Sequence, residues 1–170
     1  MTKRLIIAID GPSGAGKGTV SRTLSEHLGY RHIDTGAMYR AVAWKARMEG
    51  ITLDDEQTVA ALARRAVLLV EGGVVSVDGY DVTREIRTPE MDQAAAAVAR
   101  LPKVRQILVE RQREEGVSGG VVMEGRDIGS VVTPNADLKL FLRADSRERI
   151  GRRALQRDKD PEHVARSLGT

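Results

Sequence analysis

Residues 6–20 read IIAIDGPSGAGKGTV, an apolar run ended by Asp10 and followed by glycines at 11, 14, 16 and 18, one lysine and a threonine. The run begins in RLIIAI, residues 4–9, and a continuous apolar segment bounded by Asp-Gly is the pattern of a strand buried on both faces of a parallel sheet. After the glycines, Val20, Leu24 and Leu28 recur at helical spacing over 17–28, and Gly29 stands where that helix stops. Gly11 to Lys17 therefore fits GxxxxGK between a strand and a helix, the arrangement of a phosphate-binding loop. Glycines let successive backbone N–H groups point inward around phosphate oxygens. The helix N-terminus adds positive potential and Lys17 a mobile full charge. Position 18 is glycine, so the hydroxyl that usually follows the lysine comes one place later, at Thr19.

Further along, HID (32–34) reads as a second strand and residues 36–48 as a helix. A helix over 55–66 is expected to open at Asp54, with Gln57 completing a capping box. The stretch VLLVEGGVVSVDGYDVT, 67–83, changes character: Glu-Gly-Gly between two β-branched runs marks a hairpin, hence an antiparallel insertion inside an α/β chain. Thr88 and Pro89 open an alanine-rich helix by hydroxyl cap and N-terminal proline, and Pro102 restarts a helix to about residue 115. VVM (121–123) and LKLFL (138–142) return as strands, and Asp145 with Glu148 caps a last, arginine-rich helix.

Composition narrows the classes. A chain of 170 residues suits one domain with a sizeable core. Its five aromatic residues are Trp44, Phe141, Tyr30, Tyr39 and Tyr80, too few for a base-stacking platform, and the charge of +3 carries no polybasic tract, so nucleic-acid binding is disfavoured. Without cysteine there is no disulfide framework or thiolate metal site, which fits a cytoplasmic protein. The N-terminal apolar run is too short for a signal peptide or a membrane span, so a soluble chain without a membrane partner is expected.

IDGPSGAGKGT (9–19), DTGAMYRAVA (34–43), DVTREIRTPE (81–90), LPKVR (101–105) and EGRDIGSVV (124–132) closely resemble the cytidylate kinases, in the same order and at the same spacing. GKGT itself is a pattern of nucleoside monophosphate kinases. The resemblance implies an α/β, three-layer P-loop kinase fold with a parallel sheet and a small antiparallel insertion. It places a single domain at 1–170, a monophosphate-binding insertion at 59–100 and the start of a lid at 157–170. It further implies transfer of the γ-phosphoryl group of ATP to CMP or dCMP, giving CDP or dCDP, with Mg2+ as the accompanying ion and a monomer as the working unit.

Residue by residue, the resemblance assigns ATP to Gly11, Pro12, Ser13, Gly14, Ala15, Gly16, Lys17, Gly18 and Thr19. By residue type alone Thr35 reads as a helix cap and Arg40 as a solvated charge; the resemblance puts both, with Arg87, at the acceptor phosphate. Arg105 and Asp127 resemble the pair that reads the cytosine edge, and Arg126 sits beside the acceptor phosphate with a catalytic share. An Arg and an Asp together satisfy the acceptors and the exocyclic amine of cytosine, an arrangement uracil does not match. Glu124 stands where a carboxylate holds magnesium or its water, with a longer arm than the aspartate frequent there. Arg149, Arg153 and Arg157 form one stripe at i, i+4 spacing, and Arg153 and Arg157 are the expected catalytic arginines of the lid.

Two departures qualify the resemblance. Ala96 stands where some relatives carry a serine that touches the base, so that contact is either missing or supplied by water. Relatives also continue with an RDxxDxxR segment and a final strand and helix, so the chain is expected to be C-terminally incomplete, with ribose versus deoxyribose preference open. Two other readings stay in view: another nucleoside monophosphate kinase, such as an adenylate kinase, which a panel of monophosphates separates, and a non-catalytic nucleotide-binding module, which binds ATP without forming CDP.

Overall fold

A computed structural model describes residues 2–158 of the chain. The elements run β1 (Ile6–Asp10), α1 (Lys17–Leu28), β2 (Arg31–Asp34), α2 (Thr35–Met48), α3 (Glu56–Arg65), β3 (Leu68–Glu71), β4 (Val74–Val77), β5 (Tyr80–Asp81), α4 (Pro89–Ala99) and α5 (Pro102–Gly116). There follow β6 (Val121–Gly125), a π-helical turn over Ile128–Val132, β7 (Leu138–Phe141) and α6 (Ser146–Asp158). The expected start of a lid at 157–170 falls almost wholly outside the described residues.

The parallel sheet has the order β2-β6-β1-β7, with Ile6 beside Val121 and Ile7 beside Leu138. Apolar residues at both parities of β1 and β6 let the sheet be covered on both faces. Ile7, Ile9 and Val122 pack with Leu24 of α1, while Ala8, Val121 and Met123 pack with Val109 of α5 and with Ile128 and Val132. The result is three layers, helix, sheet and helix. β2 and β7 lie on opposite sides of the central pair β1 and β6, so the chain reverses direction there, where open α/β sheets place their ligands.

A second apolar cluster joins α2, α3, α4, α5 and the antiparallel sheet β3-β4-β5, from Val42, Leu62, Val77, Ile86, Val98 and Leu108 among others. The hairpin expected at Glu-Gly-Gly is present, with Gly72 and Gly73 both at positive φ. A third strand, β5, follows a second tight turn in which Asp78 and Gly79 have φ of 50° and 85°. Asp-Gly is a hairpin signal in its own right.

Helix starts correct the sequence expectations in two places. Asp55, not Asp54, caps α3: its carboxylate accepts from the Thr58 backbone N at 3.2 Å and from the Thr58 hydroxyl at 2.6 Å, so Gln57 closes no capping box. Asp34, not Thr35, caps α2, accepting from the Ala37 backbone N. Thr88 and Asp145 cap α4 and α6 as expected, the latter accepting from the Glu148 backbone N at 2.8 Å.

Candidate active site

The loop from Gly11 to Gly16 leaves β1 and enters α1 through a left-handed Gly16, φ 95°. In α2, α3 and α4 a side chain caps the first turn. In α1 none does, and no acid sits in its first turn. Backbone donors at this end are therefore free for an anion. Lys17 folds back over the loop and donates to the carbonyls of Gly11 (2.7 Å) and Pro12 (3.1 Å). Burial pushes its ammonium below the usual lysine range; Glu124 opposes that shift, Arg126 adds to it, and Asp34 and Asp10 lean against it. These groups, from three strand ends, all lie near enough to Lys17 for their charges to act on it.

Asp10 fixes the turn after β6. Its carboxylate is 8% exposed and accepts from the backbone N–H groups of Ile128 and Gly129, both at 2.8 Å. The segment between, Arg126 and Asp127, is thereby held at the open end of the sheet. Asp127 accepts from Arg105 of α5 at 2.6 Å, so the two residues expected to read the base stand together. Arg126 makes no ion pair among the described residues. With Gly11, Pro12, Phe141, Arg143, Ala144 and Arg149 it lines an open groove of about 500 Å³.

Arg40 donates to Asp34 at 3.2 Å and stands 3.9 Å from Asp92 of α4, which also pairs with Arg153 of α6. Two arginines expected at phosphate thus share one carboxylate, Asp92. Arg40 Nε and Arg149 Nε are buried without a hydrogen-bond partner among the described residues. α6 crosses the loop: Arg152 donates to the Gly14 carbonyl at 3.5 Å, and a side chain at Gly14 would meet the Arg149 carbonyl at 2.8 Å. The side chain of Arg157 lies outside the described residues.

Other expected residues have different surroundings. The buried Thr35 hydroxyl donates to the Glu124 carbonyl at 2.8 Å and so ties β2 to β6. Arg87 is exposed and donates to the carbonyls of Thr83 (3.0 Å) and Gly73 (3.3 Å). Ala96 is exposed on α4.

The sequence profile of the cytidylate kinase family matches residues 7–167. The chain belongs to that family. It is 50% identical over 159 residues to the cytidylate kinase of Desulfitobacterium hafniense, covering 92% of this chain and 68% of the relative. It is 55% identical over 154 residues to that of Pelotomaculum thermopropionicum (86% and 67%) and 46% identical over 156 residues to that of Neisseria gonorrhoeae (92% and 72%).

Within a family that uses ATP as its phosphoryl donor, the donor set here also bears on magnesium. Among the described residues no three His, Cys, Asp or Glu side chains gather as a metal cage. One carboxylate, Glu124, faces the first turn of α1, its Oε1 3.8 Å from where a Gly18 side chain would begin. Asp10 and Asp34 accept from backbone N–H groups and from Arg40, so Glu124 is the carboxylate beside the phosphate loop that fits Mg2+, which keeps much of its water and takes its remaining ligands from substrate phosphates. The sequence reading missed Asp10, Asp92, Arg152 and His32. Asp10 alone had a visible signal, an acid ending a buried strand immediately before the glycines. No described helix is long and apolar enough to cross a membrane.

Proposed function

We propose that this cytidylate kinase family member transfers the γ-phosphoryl group of ATP to CMP or dCMP, and that the site residues act as follows. The observation that carries this reading is the convergence on Lys17 of Glu124, Arg126 and Asp34 beside an uncapped helix N-terminus. The loop Gly11–Thr19 holds the ATP phosphates through its backbone donors, and Lys17 leaves the Gly11 and Pro12 carbonyls to meet them. Arg40 and Arg126 hold the acceptor phosphate on the other side of the sheet opening. Arg105 donates to the ring acceptors of cytosine while Asp127 accepts from its amine. Uracil carries an acceptor at C4 and a donor at N3 where cytosine has the reverse, so Asp127 loses its donor and Arg105 keeps only the O2 acceptor.

No covalent intermediate with the protein is needed. Phosphoryl transfer requires two phosphates in line and the developing charge neutralised, which Lys17, Arg126, Arg153 and Arg157 supply. Mg2+, held by Glu124 directly or through water, neutralises phosphate oxygens when bound. Arg87 joins the acceptor phosphate by giving up its bonds to Thr83 and Gly73, and Thr35 serves that site by fixing the strand end that carries Glu124. Residues 59–100 form the monophosphate-binding insertion of one domain, and the chain works as a monomer in the cytoplasm.

Calorimetry tests the two-site reading. ATP and CMP are expected to bind independently, one each per chain, with AMP and UMP binding more weakly than CMP. Mutually exclusive binding of ATP and CMP contradicts it.

A further inference from the structure

On β2 and β6, Asp34 lies beside Glu124 and His32 beside Val122, so His32 and Glu124 share the sheet face that α1 covers. His32 is 7% exposed and its Nε2 lies 2.6 Å from Glu124 Oε2. An ionised carboxylate only accepts, so the imidazole donates. The other ring nitrogen, Nδ1, is buried with no partner among the described residues. The one hydrogen bond of His32 among them is thus spent on one atom of Glu124. A buried imidazole with half its hydrogen bonding unmet costs stability relative to an apolar side chain, which makes packing a poor account of its presence.

Glu124 is pinned twice from the same strand end. Thr35 holds its carbonyl and His32 holds Oε2, while the carboxylate as a whole faces Gly18 and the first turn of α1, Oε1 at 3.8 Å and Oε2 at 4.0 Å from where a side chain there would begin. A glutamate arm has one more rotatable bond than an aspartate, and without a partner its carboxylate swings among several rotamers. We infer that His32 is a positioning residue that fixes the Glu124 carboxylate facing the first turn of α1 beside the phosphate loop, in the place where a nucleotide-bound divalent cation is met. Groups that orient a metal-binding carboxylate influence metal affinity strongly although they touch no metal. The inference rests on the kinase reading above.

The test uses the whole chain with ADP and reads Mn2+ affinity of the enzyme–ADP complex by electron paramagnetic resonance, alongside ADP affinity in EDTA. His32→Leu is expected to lower Mn2+ affinity about tenfold and to leave metal-free ADP affinity unchanged, with His32→Gln, which retains a donor, recovering most of the loss. Glu124→Gln is expected to lower Mn2+ affinity at least as far. A measurement on the unaltered protein accompanies these: the His32 imidazole 15N resonances are expected to move when Mg2+ joins the ADP complex and not when ADP binds alone. Unchanged Mn2+ affinity in either His32→Leu or Glu124→Gln, a matching loss of metal-free ADP binding, or silent His32 resonances overturns the inference. Failure of the unaltered chain to bind ADP at all removes the kinase reading beneath it.

Discussion

Arg105 on α5 and Asp127, just past the end of β6, meet at 2.6 Å across 22 residues of chain. Their side chains remain 45% and 33% exposed, so the pair itself contributes under about 1 kcal/mol to folding. The role proposed for the pair is to present these two groups to a base. Arg105→Ala or Asp127→Ala is expected to weaken CMP binding by about 1–3 kcal/mol while leaving ATP affinity and the unfolding midpoint nearly unchanged. Equal weakening of ATP and CMP in calorimetry would contradict the assignment.

Lys17→Ala is expected to abolish turnover with the fold intact, since the side chain bonds only to loop carbonyls. The lowered pKa of Lys17, caused first by burial, adds a pH signature. In the folded, nucleotide-free chain Lys17 loses its proton below the ordinary lysine value, so ATP affinity should fall with rising pH from below 10.5. The unfolded chain binds more protons in that window, so stability rises with pH there. Lys17→Arg should flatten the ATP profile, and a profile identical to the parent's would contradict the role given to Lys17.

Asp10→Ala removes the shared acceptor of two buried N–H groups, Ile128 and Gly129. A cost of roughly 1–3 kcal/mol for each donor is expected in urea unfolding, together with weaker CMP binding, because the turn carries Arg126 and Asp127. Asp10→Asn, keeping one acceptor, should fall between.

Gly11 and Gly18 should respond oppositely to alanine. A Cβ at Gly11, φ 150°, meets the Leu142 carbonyl oxygen at 2.5 Å, so the backbone must move and about 1–3 kcal/mol of strain follows, with ATP binding lost. At Gly18 the nearest atoms are the Glu124 carboxylate oxygens at 3.8 and 4.0 Å, an ordinary contact, and Gly18→Ala should fold at least as stably as the parent. Thermal unfolding of the two variants decides it.

Most of the fold was legible because its signals are local. RLIIAI, the glycines, Thr88-Pro89 and the Asp145 cap each announce an element within a few residues. β5 was missed although Asp78-Gly79 marks its turn, because a two-residue strand has almost no pattern of its own. Asp54 and Asp55 are both good caps, and the hydroxyl of Thr58 decides between them. The phosphate loop was legible by the same locality, whereas the roles of Arg105 and Asp127 came only through resemblance. His32 and Asp92 were invisible: one is a histidine in a short strand and the other an acid in a helix's first turn. Their partners, Glu124 and Arg153, lie 92 and 61 residues away.

The proposed acceptor is a cytidine monophosphate. The measurement that tests it most directly is a competition in one tube: the chain, Mg2+ and ATP labelled on its γ-phosphate, with equimolar CMP, UMP and AMP. Label is expected to collect in CDP ahead of UDP and ADP, and Asp127→Ala should erode that preference. Label appearing chiefly in UDP, in the ADP formed from AMP, or only in free phosphate would contradict the account.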